Sequence, residues 1–176
     1  MKERWEIWLD NTSKRERAFA HYLKSKKIKT ETEVKELIQG HIEKANHNLA
    51  FLQKTLDLKD FNDWSLVVSY YSIYQASLAL CALRGYSTKD HLATLLILIK
   101  EFYPQNLNSS EIKLINETTL EKEHVLNYTE AKKKRGAASY STIIMFNKEE
   151  AEDLQSKAIS FVNKAKNIIE ASNVPL

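Results

Sequence analysis

One segment limits the folds open to this chain more than any other: from Trp64 to Leu83 no side chain is charged. The run is long enough to cross a bilayer, yet Ser65, Ser69, Ser72, Gln75 and Ser77 interrupt it, so it reads as a helix buried inside a protein and not in a membrane. Tyr70, Tyr71, Ile73, Tyr74, Leu78 and Leu80 spread apolar character around the circumference, which predicts the central helix of a bundle. Ser65, Ser69, Ser72, Ala76 and Ala79 form a small-residue stripe that lets a neighbouring backbone approach closely. A helix of this kind is central to one chain or shared between two, so the pattern permits a homodimer without requiring one.

The rest of the sequence agrees with helices. Three Gly and two Pro among 176 residues leave few of the turns that hairpins require, and this length fits one domain. Apolar residues from Val34 to Leu56 step by three and four, predicting a long helix over about Thr32–Leu56. Asp63 is placed to cap the helix through Leu83, and Gly85 to end it. Ser87 or Thr88 then opens a helix that stops before Pro104, and Ser109 or Ser110 opens another to about Tyr128. Residues 129–146 read as a loop or broken helix, after which Asn147 and Glu150 have capping-box spacing for a last helix to about Ala171. Lys2–Lys29 reads as helical with a break near Asn11–Ser13. The expectation is an all-α compact bundle of five or six helices, with an N-terminal helical extension over residues 1–30 and a helical domain over residues 31–176.

A net charge of only +3 means that any preference for nucleic acid must come from local patches. Lys132, Lys133, Lys134 and Arg135 form one, with Tyr128 and Tyr140 near enough to stack on bases, and Lys14–Lys29 holds a second group of cations. Cys81 has no partner for an intramolecular disulfide, and the residues after Met1 lack a signal-type apolar stretch, which points to the cytoplasm. His41 and His47 lack a carboxylate at ligand spacing, Cys81 is isolated and no glycine-rich phosphate loop occurs, so neither metal nor cofactor is expected.

Two stretches carry a family resemblance. Asp63-Trp-Ser-Leu-Val-Val-Ser-Tyr-Tyr-Ser-Ile-Tyr-Gln-Ala-Ser-Leu-Ala-Leu followed by Arg84-Gly-Tyr-Ser-Thr-Lys-Asp-His91 resembles the HEPN family pattern "D…AYYAMFHAA.ALL" and "GYSPKSH". Further on, Arg135-Gly-Ala-Ala-Ser-Tyr140 resembles that family's "R..ADY" before its last helix. The likeness runs from about Lys35 to Ile169, with Gln75 where many relatives have His and Ser139 where they have Asp.

The resemblance implies a helical domain that binds RNA or a nucleotide, or that serves as partner subunit of a separately encoded nucleotidyltransferase in a toxin-antitoxin or defence system. It implies as an alternative a metal-independent endoribonuclease, in which an arginine stabilises phosphate charge while a histidine, separated from it by four to six intervening residues, moves the proton. Arg135 stands at the matching arginine, but Tyr140 replaces the histidine. Arg84 with His91, and Arg15 with His21, have the required spacing. The candidate catalytic residues are thus Arg84, His91 and Arg135. The candidate RNA- or nucleotide-binding residues are Lys132, Lys133, Lys134, Arg135, Tyr140, Tyr71 and Gln75.

Overall fold

The computed structural model describes residues 2–55, 62–118 and 148–172. Within them the chain is an all-α bundle: α1 (Arg4–Asp10), α2 (Thr12–Lys24), α3 (Val34–Thr55), α4 (Asn62–Leu83), α5 (His91–Phe102), α6 (helical residues 109–118) and α7 (Lys148–Ala171). A two-stranded antiparallel sheet, β1 (Ile28–Thr30) with β2 (Tyr86–Thr88), is the other regular structure among the described residues.

Helix α4 is the centre. It packs most extensively against α3 and then against α7. Leu66, Val67, Tyr70, Ile73, Ala76, Leu78, Ala79, Leu80, Cys81 and Ala82 are all buried, at every angle around its axis. Of the small-residue stripe, Ser69, Ser72, Ala76 and Ala79 are wholly buried inside this one chain, and Ser65 is half-buried. Ser72 and Ser77 satisfy their hydroxyls by donating to the carbonyls of Val68 and Ile73, one turn back at 2.9 Å. The apolar run is thus mostly covered by its own protein, 72% of it buried.

The helix starts differ from the sequence expectation in instructive ways. Asp63 lies inside the first turn of α4 and not at its cap. Thr88 belongs to β2, and Asp90 caps α5 by accepting the Ala93 amide at 3.0 Å. Asn108 opens α6, its Oδ1 accepting from the Glu111 amide at 3.0 Å while its own N–H donates to the Glu111 carboxylate at 2.8 Å. The break near Asn11 is present, with the Asn11 side chain capping α2 through the Lys14 amide. The α5 stop is present too, at Phe102, ahead of Pro104. The expected 129–146 loop and the Asn147 cap lie outside the described residues.

The sheet is the element that the sequence did not announce. Helix α2 ends in a Schellman turn, in which Lys27 N–H donates to the Tyr22 carbonyl and Lys26 N–H to that of Leu23. Lys26 takes the left-handed conformation there, at φ 57°. The chain then pairs with β2, Ile28 opposite Thr88 and Thr30 opposite Tyr86. Trp8, Phe19, Tyr22 and Ile28 join the same apolar core as α4 and α5.

Gly85 makes this pairing possible. It sits at φ 76°, and its carbonyl accepts the Glu31 amide at 2.8 Å, leading β2 out beside β1. A Cβ here would stand 3.5 Å from the Glu31 carbonyl oxygen, an ordinary contact, so the cost of Gly85→Ala is conformational. We expect that substitution to destabilise by about 1–2 kcal/mol, seen as a lower urea midpoint with unchanged slope.

Candidate functional site

The strand pair holds the turn after α2 against α3, α4 and α5, and the elements enclose a cleft of about 870 Å³. That volume lies in the range of roughly 300–1,000 Å³ typical of small-ligand sites. Leu37, Tyr74 and Leu78 give it an apolar floor, Lys26, Lys27, Lys29 and Lys89 rim it, and His41 and His91 both line it. Its two carboxylates are engaged: Asp90 pairs with Lys27 at 2.9 Å, and Glu31 accepts from the Ser87 hydroxyl. Among the described residues, Lys26, Lys29 and Lys89 have no acidic partner, so the rim carries net positive charge.

The ring of His91, the first residue of α5, stacks on Tyr74 with centroids 4.4 Å apart, and Tyr70 lies nearly parallel at 5.9 Å. The Tyr70 hydroxyl meets His91 Nε2. Burial pushes the Tyr74 phenol above its ordinary value, so it stays protonated. Burial also pushes the Asp90 carboxyl up, but the hydrogen bond from Lys27 and the Ala93 amide outweigh it and hold Asp90 below the usual carboxylate value.

His41, on α3, meets Gln75, on α4: Nδ1 and Oε1 are 2.7 Å apart. An amide oxygen only accepts, so Nδ1–H donates and Nε2 keeps its lone pair. Burial holds His41 below the ordinary histidine value against the opposing pull of the Gln75 hydrogen bond, and the ring is neutral near pH 7.

Of the residues singled out by sequence, the cleft takes in His91, the Lys26, Lys27 and Lys29 end of the second cation group and, through its bond to His41, Gln75. Arg84 does not line it; the guanidinium lies 5.0 Å over the Phe102 ring. Tyr71 is exposed and meets Tyr70 edge-on, 5.1 Å between centroids, also outside the cleft lining. Arg15 is tied to the Trp8 carbonyl and the Thr12 hydroxyl, away from the cleft, and His47 is exposed. Lys132, Lys133, Lys134, Arg135 and Tyr140 lie outside the described residues. The site residues missed by sequence are His41 and Lys89. Lys89 sits inside the Gly85–His91 stretch that carried the resemblance, whereas His41 is thirty-four residues from Gln75 and has no local signal.

No family profile matches the sequence. A protein of Methanocaldococcus jannaschii named "Putative toxin MJ0142" is 30% identical over 145 residues, which cover 82% of this chain and 89% of that protein. The chain belongs to that protein's family. The shared length spans most of both chains.

The His41 environment sets a pH dependence of stability. In the unfolded chain it titrates near its ordinary value of about 6.5, and in the fold lower. Between those values the unfolded state binds more protons, so this contribution is intact above pH about 6.5 and is lost as pH falls toward the folded value. Urea midpoints measured from pH 5 to 8 should fall on the acid side, and His41→Phe should flatten that slope.

Proposed function

We propose that this chain is a toxin-family RNA-binding protein of the HEPN type, and that the cleft beside His91 grips single-stranded RNA. The observation that carries the reading is the ring of uncompensated ammonium groups, Lys26, Lys29 and Lys89, around an apolar, aromatic-backed floor. Phosphates suit the rim, because each contact releases condensed counterions, and unstacked bases suit Leu37, Tyr74 and Leu78. The relative's name supports the toxin part, and the residues from Asp63 to His91 support the HEPN part. The cation run Lys132 to Arg135 belongs to the same reading as a further source of phosphate contacts.

The reading includes a cytoplasmic protein with Cys81 reduced, and assembly with a separately encoded nucleotidyltransferase. It also includes a homodimer. Since the small-residue stripe is used within the chain, the dimer would form through exposed apolar side chains such as Phe51 and Trp64.

The endoribonuclease alternative is favoured by one observation, that two imidazoles line a single cleft. Cleavage by the neighbouring 2′-hydroxyl needs one group to take its proton and another to protonate the leaving 5′-oxygen, with no metal. Loss of cleavage in His91→Ala, with RNA binding retained, would favour this alternative.

Replacing Lys26, Lys29 and Lys89 together by alanine should weaken binding of an oligo-uridine at least tenfold. Because single strands give a slope of roughly 0.7 per phosphate contact, it should also lower the salt slope by about 2. Expression of the wild-type chain in a bacterial host should slow growth, and the triple variant should do so less. Unchanged affinity in the triple variant would remove the cleft from RNA binding.

A further inference from the structure

We propose that His41, oriented by Gln75, makes the cleft prefer RNA over DNA by accepting a hydrogen bond from a ribose 2′-hydroxyl. The inference rests on the RNA-binding reading and adds the group that reads the sugar. RNA and DNA present the same phosphates, so a lysine rim, which offers only donors, cannot tell them apart. The 2′-hydroxyl is the group that differs, and recognising it as a donor takes an acceptor inside the cleft.

The acceptors along the cleft are few and mostly committed. Asp90 holds Lys27 and the Ala93 amide. Glu31 takes the Ser87 hydroxyl. Thr88 Oγ1 donates to the Lys27 carbonyl and accepts the Asp90 amide. His41 Nε2 differs from these. Its partner nitrogen is occupied by Gln75 at 2.7 Å, which fixes the tautomer and leaves Nε2 with a lone pair on a ring that lines the cleft. Helices α3 and α4, which carry the two partners, pack closely along their length, and the hydrogen bond between the half-buried side chains orients the acceptor before any ligand arrives. Burial keeps the ring from protonating, which would turn the acceptor into a donor.

Gln75 is thus a positioning residue. An isosteric side chain without the amide, as in Gln75→Met, lets His41 rotate and take either tautomer. His41→Phe keeps a ring in the space and removes both nitrogens.

The test compares three oligomers of one length, oligo-uridine, its 2′-O-methyl form and oligo-deoxyuridine, by fluorescence anisotropy at fixed salt. A single hydrogen bond of about 1 kcal/mol corresponds to roughly fivefold in affinity, so the wild-type protein should prefer oligo-uridine to both others by about that factor. His41→Phe should bring the three to equality, with uridine affinity falling by about fivefold relative to deoxyuridine affinity. Gln75→Met should reduce the preference in part. Acidification should lower the preference while strengthening binding of all three, as His41 gains charge. If His41→Phe or Gln75→Met keeps the full preference, or if deoxyuridine affinity falls as far as uridine affinity, the assignment is wrong. Wild-type protein that binds all three equally overturns the sugar-reading role alone. Wild-type protein that binds none overturns the RNA-binding reading, and this inference with it.

Discussion

Everything in this structure is arranged around the need to bury α4. A helix apolar on all sides cannot rest on one neighbour, so α3 and α7 pack against it, and α5 folds back from Gly85 to join the same core. The small side chains of Ser69, Ser72, Ala76 and Ala79 permit the close approach; the Ser72 and Ser77 hydroxyls, bonded back to their own helix, avoid the cost of a buried orphan donor, whereas the buried Ser69 hydroxyl bears it for the sake of the close contact. A central helix this crowded has little freedom to shift. That rigidity suits a site three of whose side chains, Tyr74, Gln75 and Leu78, project from it.

The cleft depends on a smaller feature. Six residues in two short strands join the end of α2 to the corner between α4 and α5, and the pairing brings three lysines next to the helix start that carries His91. Neither strand would persist alone; an isolated two-stranded ribbon is marginal in water. Here Ile28 is buried in the core, Phe19 packs edge-on against Tyr86 at 5.3 Å, and Lys27 reaches Asp90, so tertiary contacts hold the pair. The Asp90 carboxylate serves both purposes at once, capping α5 and anchoring the lysine-bearing segment.

How far the sequence could be read follows from the range of each signal. The long helices were legible because periodicity over many residues reports burial, and Gly85 and Pro104 mark stops by fixed backbone chemistry. Caps were less legible: Thr88, Asp90 and Asn108 sit beside other polar residues of similar propensity, and which one caps is decided by where the preceding segment is held. The strands were illegible. Three residues are too few for alternation to show, and the end of α2 is marked by Lys26 in a conformation usually left to glycine. The same limit hides the cleft. Its lysines, its aromatic floor and its two histidines come from four separate segments, of which the sequence marked two, the cation group ending at Lys29 and the stretch from Arg84 to His91.

Gln75 shows how the same residue means different things at the two levels. Compared with a family pattern it is a loss, an amide where an ionisable ring is expected. In the fold its carbonyl oxygen faces an imidazole supplied by the neighbouring helix, 2.7 Å away. An amide there cannot exchange protons, but it does something a second imidazole would do poorly: it accepts only through its oxygen, and so dictates which nitrogen of His41 bears hydrogen. Two histidines facing each other would share one proton between interchangeable states and compete for charge as pH fell. With glutamine the ambiguity is removed: Nδ1 bears the hydrogen, burial keeps the ring neutral, and Nε2 keeps its lone pair on a ring that lines the cleft. A substitution that looks like the end of acid–base capacity in one position therefore acts to define the state of a base in another.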